Sequence, residues 1–181
     1  MRMHAIKPFD LWSETVDALA RDGLLLGSVS ADGVPNVMTI GWLTGGIVWS
    51  SPVLIVMVRP SRFTFTRLEQ VGEFTVSVLP PGFSQALRLC GTASGRDGDK
   101  FGQAGLTPVA ARKVKPPIVQ EGVIHYECRV VHRNDVNRDQ LPRQIVQSAY
   151  PAGDFHRVYF GKVVSSYAVA EARKQLSRSM T

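Results

Sequence analysis

The sequence predicts a mainly β chain, a closed or nearly closed antiparallel barrel decorated by a few short helices. Three observations predict it. Segments that read as strands follow one another across links too short for a crossover helix, which forces antiparallel neighbours. The links carry Asp32-Gly33, Gly45-Gly46 and Pro80-Pro81-Gly82, residue types that turns and strand ends demand. Glu73–Leu79 and Val123–His132 alternate in polarity with the period of a strand that has one buried face. The 181 residues amount to a single domain spanning 1–181. A chain of that length buries about 70% of its unfolded surface and needs no disulfide or metal to hold it.

The elements follow in order. Ser13 caps a short helix with Val16, Leu19 and Ala20 on its apolar face, and Asp22-Gly23 ends it. Leu24–Ser30 is a strand, Ala31-Asp32-Gly33 a turn, and Asn36–Leu43 the next strand. Gly45-Gly46 turns the chain into Ile47–Ser50. Val53–Val58 is unbroken apolar and reads as a strand buried on both faces. A helix follows, capped by Ser61 and closed by Gly72. Phe74, Val76 and Val78 share the inner face of the next strand, and Phe83–Cys90 forms a short amphipathic helix. Gly91–Gly105 is a long glycine-rich loop, a kind that is commonly functional. Val123–His132 is a strand, Asp139–Ala149 a helix, Tyr150–Asp154 a turn and Arg157–Tyr167 the last strand. Residues 168–181 form a C-terminal helical arm.

Composition excludes whole classes. With 44% hydrophobic and 20% charged residues the chain is neither disordered nor fibrous. The net charge of +6 suits anionic small molecules or nucleic acid and chooses neither. Cys90 and Cys128 lack a CxxC spacing and are expected to be reduced thiols. The apolar run Val53–Val58 is too short to span a bilayer, and MRMHAIKPFD has no signal-peptide core, so a cytoplasmic protein without a membrane partner is expected. No GxGxxG follows a strand, no phosphate loop of the Walker type is present, and no GxSxG elbow occurs. His4, His125, His132 and His156 have no metal-ligand spacing, and no metal site is expected. An enzyme with so few acids, bases and nucleophiles in a recognisable pattern would need a borrowed cofactor.

Four segments carry chemistry. In Arg59-Pro60-Ser61-Arg62-Phe63-Thr64 a buried strand gives way to a helix start, with two cations and hydroxyls at Ser61 and Thr64. Free N–H groups and the helix dipole there suit a phosphate; the plainer reading is a capped helix with solvated arginines. In Asn36-Val37-Met38-Thr39-Ile40-Gly41-Trp42, a glycine inside a strand marks either a close backbone approach, as to a flat aromatic ligand, or a bulge at a barrel corner. The residues by themselves favour the bulge, with Trp42 in the core. Ser94-Gly95-Arg96-Asp97-Gly98-Asp99-Lys100-Phe101 offers backbone donors and two bases, or else a solvated turn in which the aspartates pair with those bases. His156, in Asp154-Phe155-His156 at the mouth of the last strand, is either catalytic or a satisfied structural residue.

Taken together and in order, these segments resemble the flavin reductase-like, FMN-binding split-barrel family. Gly72-Glu73-Phe74-Thr75-Val76, Cys90-Gly91-Thr92-Ala93 and Asp99-Lys100-Phe101 continue the likeness. Tyr150-Pro151, Gly153-Asp154-Phe155-His156 and Tyr159-Phe160-Gly161 resemble its flavoredoxin branch. The resemblance implies a six-stranded Greek-key split barrel, a homodimer, and FMN near the subunit interface. It implies that Thr39, Ile40, Gly41 and Trp42 line the isoalloxazine and that Asn36 and Met38 also bind the cofactor. Arg59, Ser61, Arg62 and Thr64 would hold the phosphate and ribityl chain. Ser94, Arg96, Lys100 and Phe101 would close over the flavin, with Lys100 stabilising charge on the reduced ring. On this likeness Gly41 becomes a ligand contact, not a bulge. The implied activity is hydride transfer to flavin N5 from NADH or NADPH, with His156 on the nicotinamide side, where the long 134–156 segment also lies. Reduced flavin would serve a partner monooxygenase or redox protein, or stay bound as an electron-transfer group.

Two other classes use a barrel of this size. One is a single-stranded nucleic-acid module, which needs aromatics interleaved with bases on exposed strands, whereas most Phe and Trp here read as core, so no nucleic-acid partner is expected. The other is an oxidase of the pyridoxamine-phosphate kind, which would share the FMN and differ in consuming oxygen with its substrate.

Overall fold

The computed structural model describes residues 3–177. Its elements run β1 (Met3–Ala5), α1 (Trp12–Asp22), β2 (Leu24–Val29), β3 (Pro35–Ile40), β4 (Leu43–Val48) and β5 (Ser51–Val58). They continue as α2 (Phe63–Val71), β6 (Glu73–Val78), α3 (Ser84–Thr92), α4 (Lys100–Ala104), β7 (Pro108–Val109) and β8 (Ile118–Val119). The chain then forms β9 (Ile124–Asp135), a 3-10 turn at Arg138–Gln140, α5 (Arg143–Ala149), β10 (Arg157–Val169) and α6 (Ala172–Ser177).

The architecture is mainly β and antiparallel with short helices, as expected. The main sheet follows the path β3-β2-β6-β9-β10-β5-β4, and β1 pairs with β10 beside it. That path has seven strands, and the chain leaves β3 after Ile40 and re-enters the sheet at Leu43. β3 and β4 stand at opposite ends of the path yet are joined by Gly41-Trp42 alone. Three peptide steps reach only about 11 Å. The two ends of the sheet must therefore meet, and the sheet curls into a barrel that is unpaired between β3 and β4. Inside it pack Leu24, Leu26, Met38, Ile40, Leu54, Val56, Phe74, Val76, Ile124, Tyr126 and Tyr159, the alternate residues of each strand. A second apolar cluster joins Leu25 and Val37 on the outer face of β2 and β3 to Leu87, Cys90 and Phe101 of α3 and α4.

Several elements differ from expectation, each for a local reason. Gly45-Gly46 lies within β4, not in a turn. A Cβ on Gly45 would press on Leu54, Trp12 and Phe9, so the glycine lets those rings cross the strand. The turn falls instead at Trp49-Ser50, whose positive φ values of 48° and 55° give the hairpin its required twist. β2 and the Phe74–Val78 stretch of β6 are buried on both faces, the latter where one buried face was expected; in β5, Ile55 and Met57 are half-buried and face away from the barrel interior. Ser13 does not cap α1 and Ser61 does not cap α2; their N-cap positions are Leu11 and Arg62, neither with a side-chain cap. The 91–105 loop is shortened by α3 running to Thr92 and by α4, which Asp99 caps by accepting from the N–H groups of Phe101 and Gly102. Pro142 divides the expected 139–149 helix. Ala168 and Val169 extend β10 because β1, invisible to the pattern, pairs with them. Of the expected arm, 172–177 is helical with Ala172 and Leu176 buried, and 178–181 lies outside the described residues.

Candidate functional site

Pairing register builds the site. Leu43 faces Val56, which sets Trp42 beside Met57. Arg157 faces Val58, which sets His156 beside Arg59. The β3 exit, the Gly41-Trp42 link, the end of β5 and the start of β10 thus converge at one end of the barrel. They enclose a cleft of about 210 Å³ lined by Met38, Thr39, Ile40, Gly41, Trp42, Met57, Val58, Arg59, Arg62 and His156. A second cleft of about 120 Å³ shares Met38 and Arg62 with the first. Its other lining residues include Asn36, Ser61, Phe63, Thr64, Cys90, Ser94, Gly95, Arg96 and Lys100.

The first cleft mixes apolar, aromatic and cationic groups. Met38, Ile40 and Met57 line it beside Arg59 and Arg62. Trp42, well exposed and not in the core, packs on His156 with ring centroids 4.6 Å apart. No atom lies within 4 Å of where a Gly41 Cβ would stand, so the backbone edge there is open to a flat ligand. Thr39 turns its hydroxyl away, donating to Leu87 O at 2.6 Å. His156 is buried, and its Nδ1 lies 2.9 Å from the Tyr150 hydroxyl. Burial, with the Arg59 cation next, pulls its pKa down to about 4, so the ring is neutral near pH 7.

The Arg59 guanidinium spans the chain to donate to Ala149 O (2.7 Å), Asp154 O (3.2 Å) and Gly153 O (3.5 Å), and lies over the Tyr150 ring. It is a clamp on the 149–156 wall as well as a cation at the cleft. Asp154, at a positive φ of 58°, turns its carboxylate onto Ser61, accepting from the N–H at 3.2 Å and from the hydroxyl at 2.5 Å.

The second cleft is cationic. Arg62, Arg96 and Lys100 line it, and no carboxylate does. Arg96 donates to Ser61 O at 3.2 Å and lies over Phe63, tying the 94–96 segment to the β5–α2 corner. Ser94 accepts from the Arg96 N–H. Asn36 Nδ2 donates to Ser28 Oγ and Thr64 Oγ1, so the buried Thr64 hydroxyl serves the floor of the cleft. Lys100 is buried, donates to Cys90 O at 2.7 Å, and has its pKa lowered by that burial.

Fourteen of the fifteen residues singled out in the sequence therefore line one cleft or the other. Phe101 does not; it is buried in the cluster beneath α3 and α4, because α4 turns that face inward. Lys100 lines the second cleft and not the first. Pattern reading missed Met57, Tyr150 and Asp154. The alternation of buried Val56 and Val58 around Met57 is the signal for the first; the other two depend on contacts about 90 residues away in sequence and leave no local trace. Two adjoining clefts, one with Trp42, Met57 and an open backbone edge at Gly41 beside Arg59, the other with Arg62, Arg96 and the Ser61 and Ser94 hydroxyls, fit a planar ring with an anionic tail. FMN has that form.

Comparison with known proteins agrees. A family model described as flavin reductase like domain matches residues 18–177. An uncharacterized protein of Archaeoglobus fulgidus is 36% identical over 97 residues, 54% of this chain and 54% of its own length. The chain spans about half the length of the curated relatives it matches first. Among solved structures, the flavoredoxin of Desulfovibrio vulgaris (Miyazaki F) superposes with a TM-score of 0.64 at 24% identity, covering 82% of this chain and 69% of that one. The NADH:FAD oxidoreductase of Streptomyces globisporus C-1027 gives 0.63 at 21%, covering 92% and 87%. At those identities the likeness concerns the fold.

Proposed function

The chain belongs to the flavin reductase-like family, and on that premise we propose that it is an FMN-dependent oxidoreductase whose joined clefts hold the ring and the phosphate tail of one flavin. The observation that carries the proposal is a pair of adjoining clefts that share Met38 and Arg62: Ile40, Gly41, Met57 and Trp42 beside Arg59 in one, Ser61, Ser94, Arg96 and Lys100 in the other.

When bound, the flavin supplies the chemistry the side chains lack, taking a hydride at N5 from a nicotinamide donor. The protein's part is to position and to stabilise. Trp42 and His156 pack on each other in the lining of the first cleft, and alignment of stacked rings is where much of the rate gain in such transfers arises. Arg59 and Arg62 line that cleft and would supply fixed positive charge to a reduced ring held there. This replaces Lys100 in that role, since its ammonium lies in the second cleft on Cys90 O. The neutral His156, held by Tyr150, is a contact for the nicotinamide side and not a proton donor at pH 7.

We assign NADH or NADPH as donor, and a second copy of this chain as partner. Support for the second copy is the exposed Trp49, which leans on His132 and Phe160 at 5.9 Å each, with Ile47 exposed nearby on β4. No helix among the described residues is long and apolar enough to cross a membrane.

One absorbance spectrum tests the cofactor. The purified protein is expected to be yellow, to release FMN on denaturation, and to bleach when NADH or NADPH is added without oxygen. A colourless protein that gains no flavin on titration overturns the proposal. Rapid bleaching marks a reductase; slow bleaching with fast reduction by a redox protein marks an electron carrier.

A further inference from the structure

The β5–α2 corner presents an N–H and a hydroxyl on Ser61, with Arg62 beside them, yet an anion already holds those two donors. It is the chain's own Asp154 carboxylate, with both oxygens engaged. The contact is made deliberately by the backbone. Gly153 and Asp154 both have positive φ, 78° and 58°, and Arg59 clamps the carbonyls of the same two residues. An aspartate in that conformation costs free energy, so the arrangement persists because Ser61 and Arg59 hold it. A phosphate approaching Ser61 meets a negative charge sitting on the donors it needs.

We propose that Asp154 is the residue that sets how tightly a phosphorylated flavin is held, acting as an internal anion that competes with the phosphate for Ser61. The inference rests on the cofactor reading above and extends it to the question of exchange. Flavin leaves more readily because a carboxylate of the protein takes back the Ser61 donors as the phosphate departs.

Binding of two flavins to the apoprotein tests this. FMN has the phosphate; riboflavin has the same ring and no phosphate. Asp154→Asn keeps the shape and suits a positive φ, and Asp154→Gly removes the side chain and relieves the backbone. In both variants the dissociation constant for FMN is expected to fall by about five- to tenfold, the scale of one charge-assisted contact. Riboflavin binding is expected to stay within about twofold. Ser61→Ala is expected to abolish the gain when combined with Asp154→Asn. If FMN binding is unchanged, or both flavins weaken in parallel, Asp154 is a strut for the wall and the inference fails while the cofactor reading stands. If the wild type binds neither flavin, the cofactor reading fails and takes this inference with it.

Discussion

His125 shows how completely a buried polar side chain can be specified. The Gly122 carbonyl, 3.1 Å from His125 Nε2, can only accept, so the neutral ring carries its proton on Nε2. Nδ1 then accepts from the Ser77 hydroxyl at 3.0 Å, whose oxygen accepts from the Val119 N–H at 3.2 Å. A second proton would have to sit between Nδ1 and a hydroxyl already aimed at it. Burial foremost holds the pKa at about 4, below the ordinary 6.5. The sign follows: between those values the unfolded chain binds more protons, so stability is full above pH 6.5 and is lost as pH falls towards 4. The loss is roughly 3 kcal/mol for this residue. Chemical denaturation at pH 7 and pH 4.5 is expected to show it, and His125→Asn is expected to reduce the difference while the share of His156, whose pKa is lowered in the same way, remains. Glu127, on the same face of β9 and fully buried, accepts from the N–H groups of Arg112 (2.8 Å) and Lys113 (2.6 Å) and from the Tyr167 hydroxyl (2.8 Å). Glu127→Ala is expected to cost about 3 kcal/mol in the same measurement, since three donors lose their acceptor. Alternation in the sequence places Ile124, Tyr126 and Cys128 on the core face of this strand. It is silent on the other face, because what covers His125 and Glu127 is a segment, 110–122, with no periodicity to read.

At the scale of elements, the site is an agreement between segments distant in the chain. Arg59 ends β5 and holds the 149–154 turn; Arg96 follows α3 and holds the α2 corner. Arg59→Ala frees three carbonyls. We expect faster amide exchange across 149–156 and a roughly tenfold loss of riboflavin and FMN binding alike. A loss confined to FMN would instead make Arg59 a direct phosphate contact. Gly95 lies so close to Asn36 Oδ1 and the Phe63 ring that no side chain fits between them. Gly95→Ala is expected to lower stability by about 1–3 kcal/mol, measured by thermal unfolding, as the second cleft is forced apart. The sequence made the strands, their antiparallel order and the helix after β5 legible, because alternation, short links and Gly72 at a left-handed helix end are local signals. It concealed β1 and the break after Ile40, both decided by which strand stands alongside. The cleft residues were readable only as ordered motifs; the Asp154 contact with Ser61 has no counterpart in any pattern.

For the molecule as a whole, the same hairpin that closes β4 onto β5 exposes Trp49 and Ile47. If a second copy covers them, Trp49→Asp is expected to halve the mass seen by sedimentation while leaving the circular-dichroism spectrum unchanged. An unchanged mass would remove that face from the assembly.

The link Gly41-Trp42 is the only covalent stitch across the seam where the sheet meets itself, and the ring-sized space lies directly against it. A ligand laid there is a clasp: it fastens edges that hydrogen bonds leave open. Lengthening the stitch by one residue would leave every strand intact and still let the barrel gape at the one place where it grips.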